Sequence, residues 1–116
     1  MNPLIVAIDR STIPEAEALA EPLGPIAGML KVGFELFWAA GPDGVRAVAR
    51  HGEVFVDSKL HDIPNTVERA SVNITRLGAA MFNVHALGGE AMMRAAVQGA
   101  ERAAEESGRP RPLVSR

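Results

Sequence analysis

Val54-Phe55-Val56-Asp57-Ser58-Lys59-Leu60-His61-Asp62-Ile63-Pro64-Asn65-Thr66 is the stretch that decides how this chain is read. It opens as a hydrophobic strand and runs up to a helical stretch. Strand side chains alternate faces, so Asp57 and Lys59 are expected to project together from the strand's carboxyl end. Asp62 follows where the strand has given way to a loop. A lysine placed between two carboxylates is costly to desolvate, and folds seldom need one for stability. The same array keeps the lysine charged and the carboxylates ionised, which sets a proton donor beside fixed negative charge. The spacing alone fits equally a surface ion network at a strand end.

The 116 residues, 47% of them hydrophobic, suffice for one domain with a core. A formal net charge of −2 and the lack of a basic run give no electrostatic case for nucleic acid. The apolar stretch 4–8 is too short to span a membrane. It also lacks the flanks of a signal peptide. There is no cysteine, so disulfides and thiolate metal sites are excluded. A soluble cytoplasmic protein is expected, with neither nucleic acid nor membrane as partner.

Strands and helices are predicted in strict alternation outward from the central stretch. Residues 4–8 read as a buried strand leading to Asp9. Thr12-Ile13-Pro14-Glu15 has the form of a capping box, opening a helix to about Leu23 that Gly24-Pro25 stops. Residues 29–32 form a second strand, and residues 34–50 a helix broken at Gly41-Pro42. After the third strand, residues 66–77 make a helix with Val67, Ala70, Ile74 and Leu77 on one face. Residues 80–85 form a fourth strand. Residues 89–106 carry Met92, Ala95, Ala96, Gly99 and Ala103 on one stripe, whose small residues predict close packing on a sheet. Gly108 ends that helix, and Pro112-Leu113-Val114 begin a fifth strand. Such alternation with short loops implies parallel strands and right-handed crossovers, an α/β architecture.

Asp9, Lys31, the Asp57/Lys59/Asp62 group and Asn83/His85 all fall at or near the carboxyl ends of successive strands. In a parallel β/α sheet or barrel those ends share the rim where ligands bind. Taken singly, each has a plainer reading: Asp9 as a turn residue, His85 as a satisfied loop histidine. Lys31, inside an apolar strand, is the hardest to explain without a partner.

The run from Asp57 to Thr66 closely resembles the signature of the orotidine 5′-phosphate decarboxylase family. The resemblance extends to Leu4-Ile5-Val6-Ala7-Ile8-Asp9, to Lys31-Val32-Gly33-Phe34-Glu35-Leu36-Phe37, and to Asn83-Val84-His85-Ala86 followed by Gly88-Gly89. It implies a TIM-type (β/α)₈ barrel that forms homodimers with shared active sites. It also implies conversion of a small-molecule nucleotide, orotidine monophosphate, to uridine monophosphate without cofactor or metal. Carried over by position, the family's charge array falls on Lys31, Asp57, Lys59 and Asp62. Lys59 resembles the lysine that delivers a proton to C6 of the pyrimidine as carbon dioxide leaves. Asp57 resembles the carboxylate set beside the substrate's own. Asp9 and Lys31 resemble ribose-hydroxyl ligands, Ile63 a residue beside the pyrimidine, and Asp62 and Thr66 residues that reach into the neighbouring subunit's site.

The departure from the family concerns extent. Four β/α units account for the chain, with the beginning of a fifth, so residues 1–116 are expected to be the amino-terminal half of a single barrel domain. The segments that grip the substrate phosphate would lie in the other half, and remote binding energy of that kind serves the chemistry. The 116 residues alone are therefore expected to be inactive. Two rivals stand beside this reading: a magnesium-dependent sugar-phosphate decarboxylase of the same superfamily, and a non-catalytic half-barrel that self-associates through its open edges. In that half-barrel Val6, Ile8, Phe55 and Met81 are expected to face inward without an opposite wall.

Overall fold

In the computed structural model, which describes residues 2–116, strands and helices alternate from end to end. The elements are β1 (Ile5–Ala7), α1 (Ile13–Leu23), β2 (Met29–Val32), α2 (Phe34–Ala49), β3 (Val54–Leu60), α3 (Pro64–Arg76), β4 (Met81–Val84), α4 (Glu90–Ser107) and β5 (Leu113–Ser115), with a 3₁₀ turn at Ala86–Gly88. The strands follow chain order in one open sheet, β1-β2-β3-β4-β5. Pairings β1/β2, β2/β3 and β4/β5 are parallel. This is the expected α/β architecture of about the first half of a TIM-type barrel. Among the described residues no helix is long and apolar enough to cross a membrane. Packing divides the chain into two compact units, one running to Asp57 and the other Ser58–Arg116.

In the first unit, local chemistry sets the helix boundaries. Thr12 caps α1, its hydroxyl oxygen accepting the Glu15 N–H at 3.3 Å and its O–H donating to the Glu15 carboxylate at 3.0 Å. Within α2, Gly41 takes φ 61° and ψ −150° ahead of Pro42, producing the predicted break. The strand register separates two faces. Val6, Leu30 and Val54 stand side by side, as do Ala7, Lys31 and Phe55. The first row turns toward the apolar sides of α1 and α2, where Ala16, Ala20, Leu36, Val45 and Val48 are buried.

That register corrects two expectations. Val6 and Ile8 do not face inward with Phe55: Val6 lies in the helix-covered row, and Ile8, two residues on, is fully buried. The stretch 4–8 is also not buried throughout, since Leu4, Ile5 and Ala7 are exposed. Alternation gives a strand two faces, and here helices cover one of them.

In the second unit, α3 and α4 pack against each other. Val67, Ser71, Val72 and Thr75 are the buried positions of α3, while Ala70, Ile74 and Leu77 of the predicted face are half-buried. The buried hydroxyls are satisfied within the helix, Ser71 donating to the Val67 carbonyl at 2.7 Å and Thr75 to the Ser71 carbonyl at 2.8 Å. The small stripe of α4 is buried as predicted, but its closest approach is to a helix. A Cβ on Gly99 would lie 2.3 Å from the Glu68 carbonyl oxygen of α3. Gly108 terminates α4 in the left-handed conformation, φ 68°. Phe82 and Val84 of β4 are buried, whereas Met81 and Asn83 stand on the other face.

Candidate active site

Within the first unit lie Asp9, Lys31 and Asp57. Lys31 and Asp57 occupy neighbouring strands on the face that helices leave uncovered. Lys31 Nζ lies 3.3 Å from Asp57 Oδ2, and the two side chains retain 25% and 12% of their exposure. The charge of a lysine inside an apolar strand is thereby matched by a carboxylate one strand away. Asp9 follows β1 and is exposed, its main-chain carbonyl accepting a bond from the Arg10 guanidinium at 2.9 Å.

Within the second unit lie Lys59, Asp62, Ile63 and Thr66. Among the described residues Lys59 is the one non-glycine with positive φ, 46°. A lysine gains nothing intrinsic from that conformation, so the surroundings must hold it. Asn83 of β4 does so in part: its side-chain oxygen accepts the Lys59 N–H at 2.8 Å. Its main-chain carbonyl accepts the Ser58 hydroxyl at 2.9 Å.

Beyond Lys59 the chain turns into α3. The Asp62 carboxylate accepts the Ile63 N–H at 2.7 Å, and Ile63 is the residue preceding the helix. Ile63 leaves 64% of its surface exposed, and Thr66 in the first turn of α3 is exposed as well. Asp62, Ile63 and Thr66 thus form an outward-facing ledge at the start of α3. His61 stacks on His85, with ring centroids 4.9 Å apart and planes 16° from parallel. The His85 N–H donates to the Leu60 carbonyl at 2.8 Å.

Two features of the second unit have no part in the expectations from sequence: the tie from Asn83 to Lys59, and the His61–His85 stack. Both residues of the second, and Asn83 of the first, stand at strand ends in recognisable motifs. Their contacts join positions 24 residues apart, which no local pattern reports.

The comparisons with known proteins agree with this architecture. The family model described as orotidine 5′-phosphate decarboxylase / HUMPS family matches residues 2–111. An orotidine 5′-phosphate decarboxylase of Moorella thermoacetica is 49% identical over 112 residues, covering 96% of this chain and 44% of that protein. One from Anaeromyxobacter sp. (strain K) is 53% identical over 98 residues, covering 84% of this chain and 43% of that protein. The crystal structure of orotidine 5′-phosphate decarboxylase from Lactobacillus acidophilus superposes with a TM-score of 0.86 at 35% identity, over 99% of this chain and 52% of that one. The chain thus spans about half the length of the relatives it matches. With the match running through nearly every described element, the chain belongs to the orotidine 5′-phosphate decarboxylase / HUMPS family.

Proposed function

We propose that this chain supplies the reaction centre of an orotidine 5′-phosphate decarboxylase, with Lys59 as the proton donor to C6 of the pyrimidine. The observation that carries the reading is the positive φ of Lys59 inside the signature stretch, since strained backbone persists where the surroundings impose it and gathers at functional sites. Departure of carbon dioxide leaves negative charge at C6, and a fixed ammonium stabilises that charge more in the transition state than in the ground state. Asp57 would sit beside the substrate carboxylate, and its pairing with Lys31 supports a preorganised array. Asp9 and Lys31 would bind ribose hydroxyls, and Ile63 would lie beside the pyrimidine. The enzyme would work without cofactor or metal, as a cytoplasmic homodimer. Asp62 and Thr66 would reach the partner subunit's site, a role their exposure permits.

The remaining grip on the substrate, including its phosphate, would come from residues outside these 116, so the 116 residues alone would not turn over. The test is a chain extended by in-frame fusion to the carboxy-terminal half of the Moorella thermoacetica relative. It should decarboxylate orotidine monophosphate after chelation of divalent metal, and Lys59→Ala should lose more than about 10³-fold in turnover while staying folded, because proton transfer and electrostatic stabilisation fail together. A folded Lys59→Ala protein that keeps the parent's turnover sinks the assignment. Turnover that needs magnesium points instead to the sugar-phosphate reading.

A further inference from the structure

We propose that Asn83 is a positioning residue for Lys59, holding the backbone of the proposed proton donor in its left-handed conformation through one side-chain and one main-chain hydrogen bond. The inference rests on the reading of Lys59 given above and adds a residue to it. Three observations carry it. Lys59 has φ 46°, a conformation L-residues other than Asn and Asp seldom adopt without support. Its N–H is accepted by the Asn83 side-chain oxygen at 2.8 Å. The residue before it is fixed to the same partner, the Ser58 hydroxyl donating to the Asn83 carbonyl at 2.9 Å.

Asn83 suits this task because its amide oxygen is a short-armed acceptor carried on a strand whose neighbours Phe82 and Val84 are buried. The two ties join adjacent residues, Ser58 and Lys59, to one residue of β4. A third bond, main chain to main chain, from the His85 N–H to the Leu60 carbonyl, continues the join on the far side of Lys59. Lys59 is therefore bracketed. Its backbone does not have to be ordered when substrate arrives, and less conformational freedom is lost on the way to the transition state.

The experiment uses the extended chain, with Asn83→Ala and Asn83→Asp; the second keeps an acceptor oxygen at the same position. Asn83→Ala is expected to lower kcat about 100-fold with KM changed far less, the order expected of a misplaced reacting group. Asn83→Asp should recover most of that loss. In parallel, amide hydrogen exchange at Lys59 should be roughly ten-fold faster in Asn83→Ala than in the parent, and near the parent's in Asn83→Asp. Ser58→Ala, which removes one tie and leaves the other, should give a smaller effect of the same sign and stands in if Asn83→Ala does not fold. Equal losses of kcat in Asn83→Ala and Asn83→Asp, or unchanged Lys59 exchange in Asn83→Ala, would overturn the proposal. If the extended parent itself has no activity, the reading of Lys59 fails, and exchange alone decides whether Asn83 holds the backbone.

Discussion

Lys31 and Asp57 form an ion pair at 3.3 Å from neighbouring strands, with most of both side chains sheltered from water. A pair of this kind is costly to break from one side, because the surviving charge stays in a desolvated place without its partner. Asp57→Ala is therefore expected to reduce stability by about 1–3 kcal/mol, measured by urea unfolding. The double substitution Lys31→Met with Asp57→Leu removes both charges and should recover most of that stability. Activity in the extended chain should be absent from both variants. Recovery of activity with the apolar pair would show that the charges serve only the fold.

Lys59 offers a separate test of strain. At φ 46°, glycine has no side chain to clash with the backbone, whereas alanine does. Lys59→Gly should therefore be more stable than Lys59→Ala by about 1 kcal/mol, the order of the cost of a left-handed residue. Both should lack turnover in the extended chain. The reverse order of stabilities by thermal or urea unfolding would remove the backbone argument.

The exposed ledge of Asp62, Ile63 and Thr66 makes the proposed sharing of sites between subunits testable by mixing. Extended Lys59→Ala and extended Asp62→Ala, each inactive as a homodimer, should regain activity when their subunits exchange. One of the two sites in the mixed dimer would then carry both defects and the other neither. Demonstrated exchange without any recovery would assign Asp62 to its own subunit's site.

At the other end of the first unit, a charge cluster should leave a mark on the acid side of the stability curve. The Arg50 guanidinium hydrogen-bonds the Glu17 carboxylate and holds its pKa below the ordinary value, against the opposing pull of burial; the charges of Arg50 and His51 act in the same direction as the bond. The His51 Nε2 stands 3.7 Å from the same oxygen. A depressed carboxylate pKa contributes stability that is fully present above the unfolded-state value and is lost as pH falls through the folded-state value. Glu17→Gln should thus be less stable than the parent at neutral pH, with the gap closing below the ordinary glutamate range. A gap that stays constant from pH 7 to about pH 3 would mean that the cluster does not titrate with folding.

Much of this could be read from the order of residues because it depends on local backbone chemistry. The Thr12 cap, the break at Gly41-Pro42 and the left-handed stop at Gly108 each follow from what those residues can and cannot do within a few positions. The placement of Asp9, Lys31 and Asn83 near strand ends followed from periodicity, whereas Asp57 stands in the middle of a third strand that runs on to Leu60, and the motif from Asp57 to Thr66 carried the family.

Tertiary structure alone decided what depends on register and on neighbours distant in the chain. Alternation gave β1 two faces, but the pairing of Val6 with Leu30 determined which one the helices cover. The small stripe of α4 was legible as a close approach, yet its partner, the Glu68 carbonyl of α3, was not. At Lys59 a hydrogen bond to a residue 24 positions ahead accompanies a backbone angle that strand propensity does not favour. The sequence determined which residues lie on strands or just after them, because spacing along a strand is a local property. Their pairing and their strain were decided by the fold, because hydrogen bonds and ion pairs join whatever the packed chain brings within about 3 Å.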